Sequence, residues 1–349
     1  MQPEKELLQQ KARQILLKLA SVYTPSGSEA SAKEIMKEIS EDLSLILKVT
    51  ESNSYYLNEG SSFLLASHID TVPGFIQPKE DGRYIWGRGV VDAKGPLTAM
   101  ILASWYLKQE GIDVSVAALA DEENKSRGAR ELLGSGKKFD IIIIGEPSNT
   151  TDIVVEYRGV AHLDINCNGI AEHASSSKDN IILQTNEKLR NVVQLPSSYD
   201  APSIVPTILK CGEAYNVTPS SCYIHLDCRF SVLSNFNEIL ERIKATFQDC
   251  KVDLVEYVPP AKTQLNDLVK SLQRSLLTLG VKPRLVRKAG TSDMNILTAT
   301  TREILAYGPG ESKLEHTNFE KINLEEIYIS VLAYVRTMED LWKRLRKTS

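Results

Sequence analysis

Two side chains that can bind a metal ion, His68 and Asp70, end a short apolar segment of the chain. The preceding run, Ser-Ser-Phe-Leu-Leu-Ala, predicts a buried strand. Alternate residues of an extended chain lie on one side, so one of the two could bind a metal ion while the other supports it. Asp92 follows a loop with glycine and proline, directly before a predicted helix. Histidine and carboxylate groups are ligands of zinc-like ions, although a lone histidine at a strand end is more often packed or solvated.

Further side chains of the same types follow the next predicted strands and occupy the last long loop. They are the run Asp121-Glu122-Glu123 after a strand at 113–120, Glu146 after a strand at 139–145, and His316 in a loop rich in glycine and proline. Adjacent carboxylates repel one another, and burial penalises their charged forms. The acidic run is therefore either a solvated loop or a place where a cation compensates the charge. His316 alone would indicate no function.

The elements that position these residues alternate between apolar strands and helices. The spacing of apolar residues predicts helices at 4–20, 94–110 and 126–133. Apolar strands that are separated by helices predict a mainly parallel sheet. Ligands of such sheets bind outside the carboxyl ends of the strands. The sequence therefore predicts that one edge of the sheet carries five ligand-type residues: His68, Asp92, Glu122, Glu123 and Glu146.

The pattern of elements changes after about Thr151. Between 153 and 258, the order of predicted elements is strand (153–168), helix (179–193), two strands (203–211 and 221–230), helix (238–247) and strand (252–258). This order predicts a ferredoxin-like arrangement. From Leu265 the chain returns to amphipathic and buried elements, which end in a helix at 324–345. The predicted fold class is α/β, with a mainly parallel sheet and helices on both of its faces. We assign residues 1–152 and 263–349 to this domain, and residues 153–262 to an inserted ferredoxin-like α+β domain.

Composition narrows the class of protein. The 349 residues are 42% hydrophobic and 25% charged with a net charge of −4, a balance typical of globular proteins. We expect neither a nucleic-acid partner nor a membrane partner, because the chain has no basic excess and no apolar run of spanning length. The amino-terminal residues lack the apolar core of a signal peptide. Five cysteines without a C-x-x-C motif predict reduced thiols in a cytoplasmic protein.

With these residues in this order, the sequence resembles the dinuclear-zinc amidohydrolases. This family includes acetylornithine deacetylase, succinyl-diaminopimelate desuccinylase and carboxypeptidase G. The resemblance covers nearly the whole chain, and its motifs are SHIDTVPG, GRGVVDAKG, DEEN, GEPS, NGIAEHAS, LDCR, AGTSD and EHT. Within the family, the segments TVPG, VDAKGPL and SRGAR resemble the lysine-biosynthesis hydrolases that act on an amino-group carrier protein.

The resemblance implies two divalent metal ions, Zn²⁺ or Co²⁺, and a role for each candidate residue. The implied metal ligands are His68, Asp92, Glu123, Glu146 and His316, with Asp92 bridging the ions. The implied catalytic residues are Glu122 as general base, Asp70 as the residue that orients His68, and His173 as an oxyanion donor to the partner subunit's site. The implied substrate contacts are Arg229, which would bind an α-carboxylate, and Asn216, Thr291 and Ser292. Around His173, however, Glu172 and Ser177 replace the glycine and proline that are usual in the family.

The implied activity is metal-dependent hydrolysis of an amide bond that releases lysine or ornithine from an acidic carrier protein, in lysine or arginine biosynthesis. The inserted domain would be a lid that also forms a homodimer. Two alternatives remain open at this point: a small-molecule N-acyl amino acid deacylase or dipeptidase, and a non-catalytic binding homologue. A basic cluster, Lys282, Arg284, Arg287 and Lys288, is either a docking patch for the carrier or a solvated edge strand.

Overall fold

The structure is a computed structural model that describes residues 4–348. It divides into two compact units. Unit 1 contains the described residues up to Glu156, the segment Thr263–Arg287 and the residues from Ser292 onward. Unit 2 contains Tyr157–Lys262 and the short segment Lys288–Thr291.

Helices and strands alternate through most of the chain. The α-helices of the described part are α1 (Lys5–Ser21), α2 (Lys33–Asp42), α3 (Lys94–Gln109), α4 (Arg127–Gly134), α5 (Ile181–Val192), α6 (Phe236–Thr246), α7 (Asp267–Thr278), α8 (Asp293–Leu297) and α9 (Leu324–Thr348). The first eight strands are β1 (Leu47–Val49), β2 (Tyr55–Leu57), β3 (Phe63–His68), β4 (Lys79–Glu80), β5 (Tyr84–Trp86), β6 (Ser115–Leu119), β7 (Phe139–Gly145) and β8 (Asp152–Tyr157). The others are β9 (Gly159–Asn168), β10 (Ser203–Cys211), β11 (Ser221–Phe230), β12 (Lys251–Val258), β13 (Ala261–Lys262), β14 (Arg284–Lys288), β15 (Thr301–Ala306) and β16 (Lys321–Asn323).

The central sheet of unit 1 follows the order β1-β2-β6-β3-β7-β15-β8. Its four middle strands, β6, β3, β7 and β15, are mutually parallel. Every residue of β3 and β6 is buried, because helices cover both faces of the sheet. This arrangement explains why these strands are apolar throughout rather than alternating.

Alternate residues of the central strands belong to different faces. Leu65 and Ile143 belong to the large hydrophobic core that includes α1, α3 and α9, which pack against one another. Leu64 and Ile142 are equally buried but lie outside that core, and α4 and α8 contact β6 and β15 respectively. The predicted α/β class with a mainly parallel sheet is therefore confirmed. Within residues 4–348, no helix combines the length and apolar character needed to cross a membrane.

Unit 2 is an antiparallel sheet of order β10-β11-β9-β12 with two helices, α5 and α6. Strand β11 alternates buried and half-exposed residues along most of its length, as a strand with one covered face must. Its core combines residues of the sheet, such as Leu163 and Ile224, with Ile243 of α6. The predicted α+β class of the inserted segment is confirmed by this sheet and these helices.

The structure differs from the sequence-based prediction at the entry to unit 2. We expected one strand over 153–168, but the chain forms β8 and β9 with a break at Arg158. Strand β8 continues the central sheet beside β15, whereas β9 lies in the sheet of unit 2. A continuous apolar alternation hides this change of sheet, because both halves satisfy the same period-two pattern. Residues 153–156 consequently belong to unit 1.

The prediction that all five cysteines are reduced is wrong in the structure. Cys167 and Cys250 form one disulfide, Cys211 and Cys222 form another, and Cys228 is a buried free thiol. Strand pairing explains both bonds, because Cys211 lies opposite Cys222 and the pairing of β9 with β12 brings Cys250 beside Cys167. Sequence spacing cannot reveal such pairs, since 83 residues separate the partners of the first bond.

We predict that Cys250→Ser lowers the free energy of unfolding of unit 2 by about 2–4 kcal/mol, because the bond closes a long loop. Thermal unfolding under non-reducing conditions measures the loss. Cys211→Ser is the matched control, since its bond closes a loop of 11 residues and should cost roughly 2 kcal/mol less. Titration of thiols in the denatured, unreduced chain should find one reactive group, and five would contradict the assignment.

Candidate metal centre

Parallel strands bring the predicted ligands to one edge of the central sheet. His68 is the last residue of β3, Glu122 and Glu123 follow β6, and Glu146 follows β7. These three strands are neighbours with a common direction, so their carboxyl ends meet. Asp92 lies two residues before α3, whose first turn contains Lys94, Gly95 and Pro96.

Asp92 lies between the two histidines, one on each of its oxygens. Its Oδ1 is 3.1 Å from Nε2 of His68, and its Oδ2 is 3.1 Å from Nε2 of His316. The same nitrogen of His316 is 2.9 Å from Oε2 of Glu123. One ligand atom each from His68, Asp92 and Glu123 lies within 4.8 Å of the others. A carboxylate that faces a different imidazole with each oxygen has the arrangement expected of a ligand shared by two cations.

The electrostatics of the metal-free chain also fit a cation site. Hydrogen bonds to Asp92 and Glu123 raise the pKa of His316 to about 10. Burial alone would raise the pKa of Asp92, but hydrogen bonds from His316 and His68 lower it. In the metal-free chain, protonated imidazoles therefore compensate the negative charge of the carboxylates. In a metal-loaded site, the metal ions would compensate that charge and the imidazoles would be neutral ligands.

Glu122 has the environment of a proton acceptor. Burial is the main cause that raises the pKa of Glu122 well above its ordinary value, and the carboxylates of Glu146, Asp293 and Glu123 add to it. His68 opposes this rise by its positive charge. Among the described residues, the side chain of Glu122 has no hydrogen-bond partner, whereas its backbone N–H donates to Asp70 at 3.0 Å. A carboxylate with a raised pKa beside a metal centre can take a proton from water.

The carboxylate of Asp70 holds the acidic loop, and its backbone carbonyl contacts the ring of His68. Its two carboxylate oxygens accept hydrogen bonds from the N–H groups of Glu122 and Glu123, at 3.0 and 3.1 Å. The hydroxyl of Ser26 donates a further bond at 2.7 Å. The Nδ1 atom of His68 is 3.0 Å from the backbone carbonyl of Asp70 and 3.6 Å from its carboxylate. The backbone of Asp70 thus fixes the imidazole, and its carboxylate positions the two glutamates.

Asp121, the first residue of the acidic run, needs no cation from solution. It is buried, and the guanidinium of Arg127 donates to its carboxylate at 2.9 Å. Arg127 also lies 3.2 Å from the buried carboxylate of Glu29. The charge of the acidic run is therefore compensated in two ways, by an arginine at Asp121 and by the histidine-lined centre at Glu123.

A buried ion pair joins the two loops that carry Asp92 and His316. Arg88 and Glu320 form it at 2.6 Å, and both side chains are almost fully buried. Glu320 accepts bonds from the N–H groups of Gly89 and Val91, which precede Asp92. Arg88 donates to the carbonyl of Thr317, the residue after His316, at 2.9 Å. Pairing of β5 with β16 continues this connection, so the pair sets the distance between the two ligands.

Sequence reasoning missed this pair and the role of Ser26, because neither carries a metal-ligand side chain. Their signals are positional. Arg88 stands between two glycines, both with positive φ, four residues before Asp92, and Glu320 stands four residues after His316. Burial of both charges is visible only in three dimensions.

The predicted substrate residues fall in two places. In unit 2, the loop of His173 pairs with the loop of Asn216, since the N–H of Ala174 donates to the carbonyl of Asn216 at 2.9 Å. His173 itself is exposed, with Nδ1 2.7 Å from the hydroxyl of Ser175. Arg229 is half-exposed and donates to both carboxylate oxygens of Asp227 through Nε and Nη2.

Thr291 and Ser292 lie at the start of α8. The hydroxyl of Ser292 accepts a hydrogen bond from the N–H of Met294 at 3.2 Å, and its own N–H donates to the side chain of Asn295. This capping box gives Ser292 a structural task at the helix start. Thr291, the residue before it, is half-buried.

The fold and the site together define a metal-dependent amidohydrolase. The chain belongs to peptidase family M20/M25/M40, whose family model matches residues 64–340. It is 52% identical over 342 residues to a curated relative from Sulfurisphaera tokodaii, named LysW-lysine/LysW-ornithine hydrolase, and the match covers 98% of this chain and 99% of the relative.

Solved structures share the fold. A tripeptidase from Staphylococcus aureus superposes with a TM-score of 0.82 at 20% identity, covering 96% of this chain and 99% of the other. A Bacillus subtilis protein, described as a dinuclear metal-binding peptidase from the M20 family, has a TM-score of 0.76 at 12% identity, covering 97% and 99%. At these identities the likeness establishes the fold alone.

We predict that Arg88→Met weakens Zn²⁺ binding about 10- to 100-fold, because the loops of Asp92 and His316 lose their common anchor. Calorimetric titration of the metal-free protein with Zn²⁺ measures the effect. Leu276→Ala, at a buried position of α7, is the control for loss of stability away from the site. An Arg88→Met protein with wild-type Zn²⁺ affinity would show that the pair is only a structural ion pair.

Proposed function

We propose that the chain hydrolyses the amide bond that joins lysine, or ornithine, to an amino-group carrier protein in lysine or arginine biosynthesis. The observation that carries this proposal is the placement of Asp92 between two histidines, one of which, His68, also interacts electrostatically with Glu122. The full-length similarity to a LysW-lysine/LysW-ornithine hydrolase supports the substrate.

In this proposal, the centre would bind two divalent ions. Zinc is the proposed metal, and cobalt is the alternative. His68 and Glu146 would bind one ion, Glu123 and His316 the other, and Asp92 both. Nitrogen and carboxylate ligands suit zinc, and the buried acidic surroundings favour a doubly charged cation over a proton. When bound, such a pair polarises the substrate carbonyl and lowers the pKa of the attacking water.

Glu122 would act as the general base. Its backbone is held by Asp70, and its side chain stays near the centre while Glu123 next to it points to His316. Glu122 takes a proton from the attacking water and delivers it to the nitrogen of the leaving amine. Asp70 is a positioning residue in this scheme, because it holds both glutamates by their N–H groups.

Unit 2 would supply recognition of the substrate. The guanidinium of Arg229 suits an α-carboxylate, and Asp227 fixes one edge of it, so the remaining edge can bind the ligand. His173 would donate a hydrogen bond to the oxyanion of a partner subunit's site, in a homodimer that pairs through unit 2. Asn216 and Thr291 would contact the substrate, and so would Ser292 through groups that its cap leaves available.

A cytoplasmic location follows from the proposed biosynthetic role. The sequence analysis inferred a cytoplasmic location from reduced cysteines, and the two disulfides remove this support. Carrier-bound amino acids are metabolic intermediates, and their hydrolysis belongs where amino acids are made. We therefore retain the cytoplasm as the proposed compartment on the ground of function.

The basic cluster is a weaker candidate for binding an acidic carrier than its sequence suggests. Arg284 forms two hydrogen bonds with Asp152, at 2.7 and 2.9 Å, which neutralises much of its charge. Lys282 is exposed and could still steer a negatively charged partner. Steering would make kcat/KM for a carrier substrate fall with added salt while that for a small substrate stays constant. Equal salt dependence for both would exclude it.

We predict that Glu122→Gln keeps its bound metal but loses turnover by a factor of about 100 or more, because the amide cannot accept the proton. Steady-state kcat and elemental analysis of metal content measure the two quantities. Glu34→Gln, an exposed change of the same type on α2, is the control. Activity within tenfold of wild type would show that Glu122 is not the base.

We predict a higher kcat/KM for lysine attached through its α-amino group to the terminal glutamate of the carrier than for N-acetyl-lysine or N-acetylornithine. Both substrate types are assayed with zinc or cobalt supplied. The carrier conjugate offers additional contacts outside the metal centre, which are absent from the small amides. Preference for a free acetyl amino acid would assign the chain to the small-molecule deacylases.

A further inference from the structure

Three aromatic side chains are unusually exposed around the metal centre. Of the seven phenylalanines of the chain, two are exposed: Phe75 by 45% and Phe319 by 77%. Tyr23 is exposed by 39% and packs edge-on against Phe75, with ring centroids 5.8 Å apart. We call Tyr23, Phe75 and Phe319 the aromatic rim. Large apolar groups that are exposed together mark interaction surfaces more often than structural ones.

Each residue of the rim comes from a loop that also serves the metal centre. Phe75 lies in the loop that follows His68 and Asp70. Phe319 lies three residues after His316. The loop of Tyr23 continues to Ser26, whose hydroxyl binds Asp70 at 2.7 Å. Each of the three aromatics is therefore connected through its own loop to a residue of the site, and all three belong to unit 1.

The rim is held in place before any partner arrives. Tyr23 accepts a hydrogen bond from the N–H of Gly74 through its hydroxyl, at 3.1 Å. Arg88 donates both to the carbonyl of Gly74, at 2.9 Å, and to the side chain of Asn318, at 3.2 Å. Gly74 and Asn318 directly precede the two exposed phenylalanines, so one guanidinium fixes both loops. A preorganised surface loses little entropy on binding.

We propose that the aromatic rim is the docking surface for the carrier protein. The proposal rests on the proposed function, in which the scissile amide is attached to a folded protein. A carrier that presents this bond to Glu122 and the proposed metal ligands approaches across the loops around them. Those loops expose aromatic rings, which are enriched among the residues that anchor protein interfaces. A small acylated amino acid would leave the rim uncovered.

The double variant Phe75→Ser/Phe319→Ser tests the proposal in the full-length, metal-loaded protein. For lysine linked to LysW, KM should rise about tenfold or more with little change in kcat, because anchors that bind the carrier are lost. For N-acetyl-lysine, kcat/KM should stay within about twofold. Unloaded LysW should compete with the conjugate in the wild-type assay and lose this inhibition in the variant.

Ile46→Ser and Leu277→Ser, which remove exposed apolar groups elsewhere on unit 1, are the matched controls and should leave both substrates unaffected. Equal loss on both substrates, or an unchanged KM for the conjugate, overturns the proposal. A changed molecular mass of the assembly in light scattering overturns it too, since the rim would then be a subunit interface. If the wild-type protein does not act on the conjugate, both the proposed function and the rim proposal fail. If the wild-type protein acts on the conjugate and the double variant has the same KM, only the rim proposal fails.

Discussion

The concentration of negative charge at one edge of the central sheet is the constraint on which the site depends. Asp92, the adjacent pair Glu122 and Glu123, and Glu146 come from three segments and are buried or half-buried together. Burial of unpaired carboxylates costs several kcal/mol each, so this edge is stable only with positive charge inside it. Two histidines provide that charge as protonated groups in the metal-free chain. Divalent cations would provide more, which couples metal binding to the stability of the edge.

The acids that surround the centre are compensated separately, and this separation defines where a cation can bind. Asp121 has the guanidinium of Arg127, and Glu320 has that of Arg88. Asp70 has three N–H or O–H donors instead of a cation. Because each of these carboxylates is satisfied by the protein, none competes for a metal ion. The neighbouring residues therefore help to define the candidate ligands. They compensate the surrounding carboxylates, so that only the carboxylates at the centre remain available to a cation.

The sequence predicted those features that follow from local periodicity and from motif. The boundaries of β7, β10 and β11 were predicted to the residue, because apolar runs and alternation are local properties. The same reasoning missed the short strands β5 and β16, the break at Arg158 and both disulfides. Each of these depends on which segments become neighbours in space. Motifs identified the candidate ligands for a similar reason: side-chain type and order are visible in the sequence, whereas the Arg88–Glu320 pair that joins the loops of Asp92 and His316 is not.

The same division explains why the metal centre does not decide the substrate. The proposed ligands and base would suit the hydrolysis of many amides, since in that proposal they contact only the reacting bond and its water. Discrimination between a carrier-bound and a free acylated amino acid requires contacts farther from that bond. Exposed loop residues such as Phe75 and Phe319 follow no periodic pattern in the sequence. A search for buried core residues does not identify them either. They become informative only because the fold fastens them to the loops of the metal ligands, where a protein-bound substrate has to approach.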